Sequence, residues 1–379
     1  MNYVMDEQVS VPSHTRSRNE VHMKNTAIVH YLSQQFGLDS STAVMNPIGN
    51  GHINTTMLLK DGSQAVVVQK LNTDVFPQPE HLVENARAIE QHLSDKAVTG
   101  KYKLNIIKHL PTINGKYLVT HNNEVWRALE FIGGSYSEDV VNSTEKAQTA
   151  ANAFGLFARA LEDFNAQTLH HVIPEFHNLT KRFETFKNTV SADEHDRVAN
   201  CMTDISFCES QVSLVAELEA LAGTIPLRPC HNDTKINNML FCNSSNKGKA
   251  VIDLDTCMPG YWLFDFGDMV RTFCSPEAED STDLSAVKVR EEIFEAIVKG
   301  YVSPLSESIT EQEKMSFLLG AKVMPFMIGL RFLTDYLDGD NYFATKHATH
   351  NLERARNQFK LYQDILDKEG TLKGILVKN

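Results

Sequence analysis

The sequence predicts an α+β fold in two lobes, a small β-sheet N-lobe with one main helix over 23–132 and a larger, mostly helical C-lobe over 133–379. Three observations carry this expectation. Up to residue 132, short apolar runs alternate with turn residues, which is strand-like patterning. Gly133-Gly134 then breaks the chain. Beyond it, most of the sequence repeats apolar residues at helical spacing. A length of 379 residues agrees, because a single core seldom grows past about 250–300 residues.

Residues 1–22 read as a loose polar tail. Ile28, Val29, Leu32 and Phe36 follow at helical spacing, and Gly37 closes that helix. Strands are expected at 43–47, 55–59 and 64–71, with turns at Gly49-Asn50-Gly51 and Asp61-Gly62, the second a good hairpin turn. A helix over 80–95 places Leu82, Ala86, Ile89 and Leu93 on one face. Strands at 103–110, 117–120 and 125–132 complete the N-lobe. In the C-lobe, helices are expected at 144–164, 214–221, 285–301, 311–336 and 351–367. Between them lies a non-helical stretch, 227–255, with strands at 239–242 and 250–254.

Hydrophobic residues make up 42% of the chain and charged residues 22%, as in ordinary globular proteins. A formal net charge of −12 disfavours a broad basic face for nucleic acid. The six cysteines form no Cys-x-x-Cys pair, which points to free buried thiols in a reducing compartment. Met1 to Glu20 lacks the apolar core of a signal peptide. The most apolar window, 317–330, is short for a membrane span and contains Lys322. A cytoplasmic protein with neither nucleic acid nor membrane as partner is expected.

The chemistry concentrates in His231-Asn232-Asp233-Thr234-Lys235-Ile236-Asn237-Asn238, of the form H-x-D-x-K-x-x-N, followed by an apolar strand and then Asp253. This resembles the catalytic loop of the protein-kinase-like superfamily. Phosphoryl transfer from ATP needs a group that orients the attacking hydroxyl and others that hold metal on the phosphates. Asp233 suits the first task. Asn238 and Asp253 offer hard oxygens suited to Mg²⁺. Lys235 suits charge neutralisation on the transferred group, and His231 suits support of the loop backbone. Any one of these residues alone is a weak signal; their order and the intervening strand give the reading its force. Asp265-Phe266-Gly267 spells the tripeptide that marks the metal ligand in protein kinases. Asp253, directly at the end of an apolar strand, fits that position better. Gly260 to Asp265 resembles the G-x-x-x-x-D segment of aminoglycoside phosphotransferases, which implies a structural role for Asp265.

Gly49 and Gly51 lie between two strands, where kinases place a phosphate-covering loop, although Asn54 stands where a third glycine is usual. No Walker A sequence occurs. Lys70 ends an apolar strand and resembles the kinase lysine that contacts the α- and β-phosphates. Its usual partner is a glutamate on the next helix. Glu90 flanks the apolar stripe, whereas Glu84 lies opposite but matches the family pattern better. Glu130 to Ile132, before Gly133, are candidates for backbone contact with adenine.

Further runs narrow the resemblance: Gly49-Asn50-Gly51-His52-Ile53-Asn54, Val68-Gln69-Lys70-Leu71-Asn72, Asp253-Leu254-Asp255-Thr256-Cys257-Met258-Pro259-Gly260, Asp265-Phe266-Gly267-Asp268-Met269-Val270-Arg271, and 330–340, beginning Leu330-Arg331-Phe332. From about residue 40 onward the chain is similar to N-acetylhexosamine 1-kinases, in the phosphotransferase family that includes aminoglycoside and choline kinases. The resemblance implies ATP- and Mg²⁺-dependent phosphorylation of the anomeric hydroxyl of N-acetylglucosamine or N-acetylgalactosamine. It implies sugar contacts from His52, Asp233, Asp253, Arg331 and Tyr342.

Overall fold

The computed structural model describes residues 27–49 and 53–379. The expected tail at 1–22, and with it Gly51 and His52, lies outside the described residues. Two compact units result: one contains the described chain up to Thr73 with His109–Phe131, the other Asp74–Lys108 with Ile132–Asn379. The chain has the protein-kinase-like α+β fold.

The smaller unit is built on an antiparallel sheet in the order Val44–Pro47, Thr55–Lys60, Ala65–Lys70, Glu124–Glu130 and His109–Leu110, with Val119–His121 also paired to Glu124–Glu130. The hairpin between Lys60 and Ala65 turns at Gly62, which has φ +87°. There the Asp61 carboxylate accepts the Gln64 N–H at 2.9 Å, so a short polar side chain stands in for a backbone acceptor. Alternation along the strands buries Leu59, Val66, Val68, Trp126 and Ala128 against Ile28 and Leu32 of the 27–36 helix.

The larger unit is mostly helical. The Pro79–Val98 helix belongs to it and is anchored by buried Asn85. That side chain bonds both the N–H (2.8 Å) and the carbonyl (2.9 Å) of His170. The strand expected at 103–110 is two fragments. Asn105–Ile106 pairs in parallel with Gly248–Val251, whereas His109–Leu110 joins the sheet of the smaller unit. Four helices escaped the sequence reading: Leu179–Ala192, Met202–Ser210, Trp262–Phe273 and Glu369–Lys378. In Trp262–Phe273 every residue but Thr272 is buried, so it shows no polar face.

The Glu311–Leu337 helix starts on a capping box between Thr310 and Glu313. It is long and apolar enough to cross a bilayer, yet 89% of its apolar window is buried in protein. It packs against Trp262–Phe273 with almost no separation: a Cβ on Gly267 would fall 2.2 Å from the Gly320 carbonyl oxygen. Gly267 is therefore a helix-contact glycine. Five cysteines are buried, as expected for free thiols, but Cys242 is half-exposed at the end of the Met239–Cys242 strand.

Candidate active site

The loop 231–238 leaves the short strand Arg228–Cys230, which pairs with Met258–Gly260. Arg228 grips Glu313 through two hydrogen bonds, 2.9 and 3.1 Å, and its guanidinium lies over Trp262 at 4.2 Å. Asp265, in the first turn of Trp262–Phe273, accepts the backbone N–H of His231 at 3.0 Å and of Asn232 at 2.7 Å. Its carbonyl accepts the Thr234 hydroxyl at 2.7 Å. Burial pushes the Asp265 carboxyl up to about 6, against the pull of His231 and the two N–H groups. His231 donates from Nε2 to the Ile252 carbonyl at 2.9 Å, with its ring edge-on to Phe154 and Phe157. Asn232 holds φ +63°, a region its type tolerates, and its amide bonds the carbonyls of Cys230 and Thr256. The Thr256 hydroxyl returns a 2.7 Å bond to the His231 carbonyl. Apart from Arg228, each of these side chains bonds a backbone group of the loop or of a segment packed on it.

The loop thereby presents Asp233. Its carboxylate pairs with Lys235 Nζ at 3.1 Å and accepts Asn238 Nδ2 at 2.9 Å. Burial acts to raise its pKa, but Lys235, then His231 and Arg271, outweigh burial and hold it below the usual carboxylate range. Asp233 is thus ionised at neutral pH. Burial alone would lower the Lys235 pKa, yet Asp233 and Asp268 raise it, so the lysine is charged as well. Asp268 is pushed up, by burial and then by Asp233; Arg271 at 2.9 Å opposes the shift. Arg271 also bonds Glu279, which Arg354 holds from the other side. This chain of alternating charge, buried at Asp268 and Arg271 and half-buried at Glu279 and Arg354, is absent from the sequence reading; its Asp268 favours the charged form of Lys235.

Both amide hydrogen bonds of Asn238 go to Asp233, one to its carbonyl (2.8 Å) and one to its carboxylate. With Nδ2 so committed, Oδ1 is the atom left for a cation. The Asn238 carbonyl accepts the Ile252 N–H at 2.9 Å, which draws the start of Asp253 alongside. Asp253 is exposed at φ +61°, an uncommon conformation for a non-glycine residue and frequent at functional positions. One carboxylate and one amide oxygen make a hard-donor set, which fits Mg²⁺.

In the smaller unit, Lys70 forms an ion pair with Glu124 at 3.2 Å. Both line a cleft of about 330 Å³ with Ile53, Thr55, Asn72 and Asn123. Gly49 takes φ +72°, which a side chain would strain. Asn54 has a specific job where a third glycine is usual, since its Oδ1 accepts the Asn72 N–H at 2.9 Å. In the larger unit, Glu84 is exposed and bonds His170 at 2.8 Å, whereas Glu90 is buried. Glu130 ends its strand, opposite Val66. The Ile132 carbonyl accepts the Ser135 hydroxyl at 2.5 Å.

Arg331 and Tyr342, far apart in sequence from Asp233, come together in the larger unit. The Asp335 carboxylate accepts the N–H of Tyr342 (2.7 Å) and of Phe343 (2.9 Å), folding that loop back over the helix. The Arg331 guanidinium lies 5.3–5.5 Å from the rings of Phe176, Tyr342 and Phe343. His177, stacked on Phe176, has its pKa lowered to about 3 by burial and by Arg331 and Arg182, with Asn232 and Asp233 close enough to oppose the shift. No motif announced His177 or Arg182. Packing of the Leu179–Ala192 helix on Glu311–Leu337 brings them here.

Among solved structures, the fold is similar to that of a microcompartment-associated aminopropanol kinase (17% identity, 91% of this chain and 98% of that one, TM-score 0.62). It is also similar to an aminoglycoside phosphotransferase from Alicyclobacillus acidocaldarius (13% identity, 87% and 92%, TM-score 0.55). A Plasmodium vivax ethanolamine kinase matches likewise (15% identity, 93% and 96%, TM-score 0.54). The sequence profile of the phosphotransferase enzyme family matches residues 44–291, a span that includes Lys70, the 231–238 loop, Asp253 and Asp265. The chain belongs to the phosphotransferase enzyme family and is a small-molecule kinase.

Proposed function

We propose that this kinase transfers the γ-phosphoryl group of ATP to the anomeric 1-hydroxyl of an N-acetylhexosamine, N-acetylglucosamine or N-acetylgalactosamine, giving the sugar 1-phosphate. The observation that supports this most is the ionised Asp233 carboxylate on a loop braced by Asp265, with Lys235 and Asn238 both bonded to it. Asp233 takes the proton of the attacking hydroxyl; that oxygen bonds to the γ-phosphorus as the bond to the β-phosphate oxygen breaks and ADP leaves. Lys235 neutralises charge on the phosphoryl oxygens in flight. Asn238 and Asp253 would hold Mg²⁺, which supplies positive charge for the phosphates. Gly49, Gly51 and Lys70 take the phosphates, with Glu84 proposed as the lysine's partner in place of Glu124, which pairs with it in this structure; Glu130 and Ile132 offer backbone to adenine. His52, Asp253, Arg331 and Tyr342 grip the sugar. A reducing cytoplasm fits the free thiols. A spectinomycin phosphotransferase of similar fold (16% identity, TM-score 0.53) was solved with ADP, in line with ATP as donor.

Amino-alcohol and aminoglycoside acceptors are the nearest rivals, and the acceptor side argues against them. An aromatic box for a quaternary ammonium is indeed present in Phe176, Tyr342 and Phe343, but the chain's own Arg331 fills it. A cationic substrate would meet a cation there. The test is a panel of sugars, choline, ethanolamine and aminoglycosides with ATP and Mg²⁺, followed by NMR of the product. The expected product is an N-acetylhexosamine phosphorylated at C1. Phosphate on the 6-hydroxyl or on an amine-bearing acceptor sinks the sugar 1-kinase reading. ATP binding without turnover of any acceptor would leave only a kinase-fold binding protein.

A further inference from the structure

Arginines in the larger unit are as a rule matched with carboxylates. Arg197 pairs with Asp340, Arg228 with Glu313, Arg271 with Asp268 and Glu279, and Arg356 with Asp204. Arg290 has no carboxylate but spends its donors on backbone carbonyls, whereas Arg182 and Arg331 do neither in full. Neither forms an ion pair among the described residues. Arg331 lies over three aromatic rings and has no carboxylate partner among the described residues. Arg182 donates from Nη2 to the Phe176 carbonyl at 3.3 Å, while its Nε is buried without a partner. Glu175 is close enough to act on Arg182 but forms no ion pair with it, and its Oε2 accepts Asn178 Nδ2. The two guanidiniums are also close enough to repel. Burial, and then Arg182, hold Arg331 down to about 10, a value that still leaves it charged at neutral pH. Two half-buried cations meet at Phe176, one over its ring and one on its carbonyl, and a buried Nε among them lacks a partner; a ligand that brings negative charge would relieve them.

We propose that Arg182 and Arg331 form an oxyanion site on the acceptor side of the catalytic loop, so that the molecule held there carries a carboxylate or phosphate group. The inference rests on the acceptor-side assignment above and deepens it: a neutral N-acetyl group has one carbonyl acceptor, whereas two guanidinium forks match a carboxylate or phosphate. Phe176 and His177 tie the site to Asp233. The Phe176 ring underlies Arg331, its carbonyl holds Arg182, and the neighbouring His177 is close enough to feel both Asn232 and Asp233. An anion at this place is supplied either by an acidic acceptor sugar or by the phosphate of the product.

The test is titration calorimetry of the full chain with inorganic phosphate, N-acetylglucosamine, its 6-phosphate, its 1-phosphate and glucuronate. Arg182→Gln and Arg182→Lys are run alongside, with ATP affinity as the check that each variant is folded. In the intact chain, at least one anionic sugar binds about tenfold or more tighter than neutral N-acetylglucosamine. Arg182→Gln narrows the gap to about twofold, and Arg182→Lys, which keeps the charge but loses the fork, falls between. A gain confined to the 1-phosphate assigns the site to product; a gain for the 6-phosphate or glucuronate assigns it to an acidic acceptor. Neutral sugar that binds as tightly as every anion overturns the inference and leaves the sugar-kinase reading standing. If no sugar binds, that reading falls, and inorganic phosphate decides alone: loss of phosphate binding in Arg182→Gln supports the oxyanion site, and equal or absent binding overturns it.

Discussion

Replacing Asp265 by asparagine keeps the side chain's shape and removes its charge. The carboxylate is almost wholly buried, so its rise from 3.8 to about 6 is a folding statement, equivalent to roughly 3 kcal/mol of instability at neutral pH. Asparagine escapes that penalty. It also offers one acceptor oxygen where two N–H groups converge, leaving His231 or Asn232 facing an NH₂ group at a cost of about 1–3 kcal/mol. The two terms nearly cancel near neutral pH, so net stability there changes by no more than about 2 kcal/mol. The pH dependence does not cancel. The folded protein binds the Asp265 proton more tightly than the unfolded chain, so this group's contribution is greatest below about pH 3.8. It declines as pH rises toward about 6 and is flat above. The variant lacks this decline. The stability of the wild type minus that of Asp265→Asn should therefore fall by roughly 2 kcal/mol between about pH 4.5 and about pH 7.5. Urea unfolding followed through tryptophan fluorescence measures it, with Trp262 buried on the same helix. Taking the difference removes the other carboxylates from the comparison. A difference that is flat, or that grows with pH, refutes the buried-charge argument. Turnover should drop about a hundredfold in the variant, because a loop released by a fraction of an ångström no longer aims Asp233.

Two further outcomes follow from the same geometry. Asp233→Asn keeps one acceptor oxygen where Lys235 and Asn238 use two, and it has no proton affinity to offer; turnover should fall by about 10²–10⁴, with ATP affinity by calorimetry within about twofold of wild type. Undiminished turnover would remove Asp233 from its role. Gly267→Ala drives a methyl group to within 2.2 Å of the Gly320 carbonyl, and thermal unfolding should register a loss of about 1–3 kcal/mol or more. Were this glycine part of a solvated activation segment, alanine would be nearly neutral.

Much of the fold is legible wherever one face of an element is wet. The 55–59 and 64–71 strands, the turn at Asp61-Gly62 and the helix at 80–95 all appear close to their expected bounds, because alternation or helical spacing separates their faces. Trp262–Phe273 is buried on nearly every side, and its apolar run carries no period. Leu179–Ala192 fails for the opposite reason: only Leu179, Phe183 and Phe186 are buried amid polar neighbours. The site divides along the same line. Asp233, Lys235, Asn238 and Asp253 are readable since one local segment must carry them in fixed order. His177, Arg182, Asp268 and Arg271 acquire meaning only through helix packing between distant segments, and spacing along the chain holds no trace of it.

The thiol of Cys242 leads in a different direction. Burial raises the thiols of Cys201, Cys208, Cys230, Cys257 and Cys274, whereas hydrogen bonds from Ser244 and Ser245 pull the half-exposed Cys242 down to about 6. Near neutral pH the native chain therefore offers a single thiolate to an alkylating dye. That position ends the strand that begins at Met239, directly after Asn238. A fluorophore or spin label attached there, with no substitution anywhere, rides on a short rigid strand from the proposed magnesium ligand. It would make nucleotide and metal loading observable in the unaltered protein.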